Sequence, residues 1–194
     1  MNTSSADSPT FVAYDEARRA IADGDLLLFR GRGLIATAGR GVHSHAAKAA
    51  WWDDDLFCLE FRAFRGGRAV LLSHLVQRWP GRIDVFETNP EGRWPNYDRA
   101  EATRAMRRLT GLEYGWVNVL RVALTHAPVV RWFRATSEDD ARTNDRPPFC
   151  SQAVVMADRI GGGVDPVPRL ADRRTEPADL ARSPFYRYRF TLVP

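Results

Sequence analysis

Two consecutive prolines, Pro147-Pro148, stand directly before the run Phe149-Cys150-Ser151-Gln152-Ala153-Val154-Val155. Proline has no backbone N–H and its ring clashes with the preceding turn, so this pair cannot lie inside a helix. A helix that buries the apolar residues after it must therefore start at the junction. The expected span is Cys150 to about Ile160, ending at Gly161-Gly162-Gly163. A thiol at such a start feels the positive end of the helix dipole, which favours the thiolate, the form that attacks a carbonyl carbon.

Upstream of this helix the chain reads as mostly β. Leu26–Arg30, Val42–Ala50, Leu56–Arg62, Ala69–Ser73 and Ile83–Glu87 are short apolar or alternating runs, with Gly66-Gly67 as a hairpin-type turn. Phe185–Val193 alternates like a closing strand. Helical spacing marks Thr10–Ala22 and Asp98–Leu109, the latter with Gly111-Leu112 as its C-cap, and Trp116–Phe133 is apolar nearly all round, as in a buried helix. The remainder reads as loop: Gly31, Gly33, Gly39 and Gly41; Thr88–Tyr97; the charged stretch Thr136–Arg146; and the Pro-punctuated tail Val164–Ser183. No G-x-G-x-x-G or Gly-Lys-Ser/Thr run follows the first glycines, so they are not read as a phosphate cradle. No repeat or boundary interrupts the pattern, and the expectation is one α+β domain over 1–194 with a loose start over 1–9.

Composition narrows the function classes. The 28 basic and 24 acidic residues leave a formal charge of +4, and Lys48 is the lone lysine. Arg is spread along the chain, and its densest helical group, Arg104, Arg107 and Arg108, reads as a solvated face. Nucleic acid is therefore not an expected partner, whereas anionic substrates are compatible with the charge without being demanded by it. The longest apolar runs are too short to cross a bilayer. The first residues show no basic n-region and no apolar h-region, so the expected location is the cytoplasm. Cys58 and Cys150 form no C-x-x-C or zinc-spaced cluster, so free thiols and no metal or cofactor are expected.

Cysteine attack on an amide or ester needs a thiolate, a base that later serves as the acid, and a group that orients the base. Cys150 is the candidate nucleophile, set against the reading of a small buried hydrophobe. His45 is the candidate base, with His43 as its competitor two residues earlier on the same strand face. Glu60, flanked by Leu59 and Phe61 on the next strand, is the candidate orienting carboxylate, against the reading of an outward position on an amphipathic strand. Cys58 shares the face of Glu60 by alternation but has no helix dipole, and reads as structural. His74 and His126 lie in apolar settings without polar companions.

Taken in order, Gly24-Asp25-Leu26-Leu27-Leu28-Phe29, Ser44-His45-Ala46-Ala47, Glu60 and Phe149-Cys150-Ser151-Gln152 resemble the circularly permuted branch of the NlpC/P60 papain-like superfamily, the YiiX-like group, with lecithin:retinol acyltransferase-type enzymes as distant relatives. The tail Thr175–Pro184 is similar to an ending common in that group. The resemblance implies a papain-like α+β fold, a small antiparallel sheet or barrel packed on the Cys150 helix. It also implies a Cys150–His45–Glu60 triad acting through an acyl-enzyme, the backbone N–H of Cys150 helping to hold the oxyanion, and Tyr114 lining the cleft. Gln152, where relatives often carry Glu, and Lys48, in a strand that is usually apolar, depart from the pattern. The expected function is a thiol hydrolase or acyltransferase acting on a peptidoglycan-type peptide, an isopeptide or a lipid acyl group. The alternative is an inactive module that binds a lipid or peptide in the same cleft.

Overall fold

The computed structural model describes residues 8–31, 41–62, 66–110 and 150–194. Seven strands form one sheet: β1 (Phe11–Ala13), β2 (Leu26–Arg30), β3 (His43–Trp52), β4 (Asp55–Arg62), β5 (Gly66–Leu71), β6 (Ile83–Thr88) and β7 (Tyr186–Val193). Their order across the sheet is β1-β7-β6-β2-β3-β4-β5, with β1 and β5 outermost among the described residues. Every pairing is antiparallel except β1 with β7. The helices among the described residues are α1 (Tyr14–Ala17), α2 (Leu72–Arg78), α3 (Arg99–Leu109), α4 (Cys150–Met156) and α5 (Pro177–Arg182). The class is α+β, as expected, with a larger sheet than expected.

Alternation along the central strands divides the apolar residues between two faces. Leu27, Ala47, Ala49, Cys58, Val85 and Leu192 pack with Ile21 and with Leu72, Leu75 and Val76 of α2. On the other face Leu26, Leu28, Ala46, Ala50, Leu59 and Phe61 pack with Met106 of α3, Ala153, Val154 and Val155 of α4, and Leu180 of α5. The alanines of β3 are small enough to let α4 lie close to the strand, which is what a thiol at the start of that helix needs to meet a strand histidine.

Lys48 is fully buried in β3, and its surroundings explain how. Its Nζ donates to the Gly24 carbonyl at 2.8 Å and lies 2.8 Å from Asp158 Oδ1. Asp158 also accepts from Tyr97 at 2.6 Å and Tyr186 at 2.5 Å. A buried charge is tolerated only when paired and hydrogen-bonded, and here the pairing closes. The Gly24-Asp25 pair serves the same junction: Asp25 accepts from the backbone N–H of Ala22 and Thr88 and from Arg99.

Several local expectations are corrected. Phe11–Ala13 is an edge strand on β7 rather than the first turn of a helix over Thr10–Ala22, because its N–H and C=O groups pair with Thr191–Val193. Gly66 and Gly67 belong to β5, paired with Arg62 and Phe61, instead of forming the turn. A Cβ on Gly67 would run into the Leu109 carbonyl, so the glycine there serves close approach. Leu72–Arg78 is helical, and Pro177–Arg182 forms a helix within the tail read as loop, opened by Pro at its first turn and a Glu176/Asp179 capping box. The α4 helix continues as a π-turn over Ala157–Gly161. Residues 32–40 of the first glycine loop, the Gly111-Leu112 cap, Trp116–Phe133 and Thr136–Arg146 lie outside the described residues.

Candidate active site

The β2–β3 ladder pairs Phe29 with His45 and then Arg30 with His43, so one extra residue, Ser44, sits in β3 at a bulge. A bulge of this kind re-aims the side chains on either side of it. It separates the two histidines. His45 packs edge-on against Phe29, which belongs to the face of Ala47 and Cys58. His43 packs against Phe86, on the face of Leu28 and Ala46. The expectation that His43 and His45 share a face is corrected, and the reason is the inserted Ser44.

His45 then has one carboxylate and one thiol. Its Nε2 lies 2.6 Å from Glu60 Oε2, and the Cys150 thiol is the other neighbour that raises the imidazole. The β3–β4 hairpin makes the first contact: Ala47 pairs with Glu60, so the carboxylate is diagonal to His45 on the same face. Cys150 is the first residue of α4, and the backbone N–H groups of Ala46 and Ser151 act with His45 to lower its thiol. The structure thus brings Cys150, His45 and Glu60 together.

The electrostatics match an ion pair. Burial alone would raise the Cys150 thiol, but His45 and the two backbone donors bring it below the ordinary range. Burial would likewise lower the His45 imidazole, but Cys150 and Glu60 outweigh it and hold it at about 9. Glu60 is fully buried, which by itself would raise it, yet His45, Arg62 and Arg68 pull it to about 2. Each shift runs in the direction that favours thiolate, imidazolium and carboxylate.

Two of these partners were not found from sequence. Arg68 is directly opposite Glu60 in the β4–β5 ladder and donates to Oε1 through Nε at 2.9 Å and also through Nη2. Arg62, two residues along β4, places Nε 3.3 Å from Oε2. The signal was present as an arginine two positions after Glu60, but the β5 partner required the true hairpin register.

His43 belongs to a separate pair. Its Nε2 lies 2.7 Å from Asp84 Oδ2, and Asp84 also accepts from Arg30 and from the Thr191 hydroxyl. Cys58 is free and buried, its thiol raised well above the usual range by burial. His74 is exposed on α2. Tyr114 and His126 lie outside the described residues.

No protein-family model matches the chain, and no curated protein sequence does. Solved structures do match it. One is the crystal structure of the metalloprotein YiiX from Escherichia coli O157:H7, assigned to a domain of unknown function. It is 12% identical, and the match covers 90% of this chain and 99% of that one, with a TM-score of 0.57. At that identity the likeness is one of fold.

Proposed function

We propose that the chain is a thiol hydrolase or acyltransferase of permuted papain-like, NlpC/P60 type, acting on an amide or ester bond through an acyl-enzyme on Cys150. The observation that carries this reading is the juxtaposition of Cys150, His45 and Glu60: His45 Nε2 lies 2.6 Å from Glu60 Oε2, and the thiol and imidazole each shift the other towards its charged form. The chain order, with the His45 strand before the Cys150 helix, and the fold shared with YiiX support it.

The reaction follows from the charges. The Cys150 thiolate attacks the carbonyl carbon and a C–S bond forms. The backbone N–H of Cys150, which has no acceptor within its own helix, is available to the oxyanion. His45 gives its Nδ1 proton to the departing nitrogen or oxygen as that bond breaks. Water or an alcohol then attacks the thioester and loses its proton to His45, and the thiolate leaves. Glu60 holds Nε2–H throughout, which keeps Nδ1 facing the sulfur.

YiiX is called a metalloprotein. Among the described residues of this chain, no group of three or more His, Cys, Asp or Glu side chains is arranged to hold a metal ion.

The test is alkylation by iodoacetamide across pH in wild type, Cys150→Ala, Cys58→Ala and His45→Ala. Rapid labelling at neutral pH that needs Cys150 and His45 but not Cys58 is expected. Labelling only at high pH, indifferent to His45, would overturn the reading and leave the binding module in its place.

A further inference from the structure

Beside the relay lies a concentration of positive charge with too few acidic partners. Arg62, Arg78 and Arg82 all approach the ring of Trp79, their guanidinium carbons 5.8, 5.9 and 6.0 Å from its centre. Arg78 and Arg82 are exposed, and among the described residues neither has a carboxylate partner. Among those residues the one carboxylate in contact with this group is Glu60, which Arg62 shares with Arg68 and His45. The indole Nε1 of Trp79 is buried and has no acceptor among the described residues. Three cations around one ring repel one another unless an anion joins them, and guanidinium is the group best shaped to take a carboxylate or phosphate.

The cluster is also correctly placed. The Arg82 N–H donates to the Trp79 carbonyl, and its own carbonyl accepts from Arg30 at the end of β2. This is the end at which Phe29 pairs with both His45 and Ile83. From His45 the path to Trp79 crosses only Glu60 and Arg62, with contacts of 2.6, 3.3 and 5.8 Å. The cluster is thus joined to His45 through Arg62 and Glu60.

We infer that Arg78 and Arg82, seated with Arg62 around Trp79, form an oxyanion-binding subsite, so the substrate is an acyl compound carrying a carboxylate or phosphate a short way from the bond that Cys150 attacks. This rests on the proposed thiol chemistry, and the test separates the two. Three probes differ in one side chain: chloroacetyl-Gly-Gly-Asp amide, its Asn counterpart and its phosphoserine counterpart. In each the thiolate forms a C–S bond to the chloromethylene carbon and chloride leaves.

The Asp or phosphoserine probe should label Cys150 roughly three- to tenfold faster than the Asn probe, the scale of one or two exposed ion pairs. The faster of the two identifies the oxyanion. In Arg78→Gln/Arg82→Gln the preference should fall towards one, and in Arg82→Glu it should fall further. Equal rates for charged and neutral probes in wild type, or a preference that survives the double substitution, would overturn the inference alone. A Cys150 that ignores iodoacetamide at neutral pH would overturn the thiol chemistry and the subsite with it. Iodoacetamide labelling of the double variant also shows that its relay is intact.

Discussion

Replacing Glu60 by Gln sets two electrostatic effects against each other, and the sign of the result decides between them. If Glu60 were merely a negative charge near the sulfur, removing it would make the thiol more acidic. Arg62 and Arg68, left without their carboxylate, would push in the same direction. The relay predicts the opposite. Guanidinium groups only donate, so the new amide keeps its oxygen on Arg68, at the Oε1 position, and its NH2 takes the Oε2 position facing His45 and Arg62. Nε2 then has to be bare, the ring proton moves to Nδ1, and the imidazolium loses the acceptor that now stands at 2.6 Å. An opposite charge at that distance is worth about 1–3 pKa units. His45 should fall from its value of about 9 accordingly. The Cys150 midpoint should rise by about 1–2 units, so neutral-pH alkylation slows by at most about 10- to 100-fold. Turnover should suffer more, on the order of 10⁴-fold, the cost of the equivalent carboxylate-to-amide change in a serine-protease relay. The assay is the iodoacetamide rate constant from about pH 4 to pH 10. A midpoint that stays or moves down in Glu60→Gln would refute the relay.

The remaining expectations concern pH and burial. Turnover should have an alkaline limb near pH 9, where the imidazolium is lost, and an acid limb below the ordinary thiol range; kcat/KM against pH measures both. Glu60 stabilises the fold fully above its unfolded value of about 4.3 and loses that contribution as pH falls through about 2. Urea unfolding over that window should show a shallower acid decline in Glu60→Gln than in wild type. Lys48→Ala leaves Asp158 as an uncompensated buried charge and should cost about 3–5 kcal/mol in urea unfolding. Lys48→Met with Asp158→Asn should recover much of that loss.

The parts of the fold that sequence reading reached were those with a strong local signal. The strands β2, β3, β4, β6 and β7 were legible from apolar runs and alternation, α3 from its 3.6-residue period, and the start of α4 from the Cys150 run. The elements it missed are held by partners distant in the chain. Phe11–Ala13 is a strand because β7 lies beside it, and Gly67 is a strand residue because Leu109 crowds it. Pro177–Arg182 was hidden by its proline, which at a first helical turn is no obstacle. For the site, Cys150, His45 and Glu60 stand out in the sequence by residue type and element position, and the structure brings the three together. The separation of His43 from His45 could not be read, because a bulge of one residue leaves no mark in an alternating pattern. Nor could the arginines on Glu60 be assigned, since a ladder register belongs to the folded sheet. Lys48, a departure in the sequence, becomes intelligible once Asp158, on the turn after α4, is seen against it.

The central claim is that Cys150 carries the acyl group, and the most direct measurement is its capture. Wild type mixed with nitrophenyl acetate should release a burst of nitrophenol equal to the enzyme present, and intact-mass and peptide analysis should find one acetyl group on Cys150. His45→Ala should lose the burst, and Cys58→Ala should keep it. No acetyl group on Cys150, or an equal burst in His45→Ala, would contradict the account.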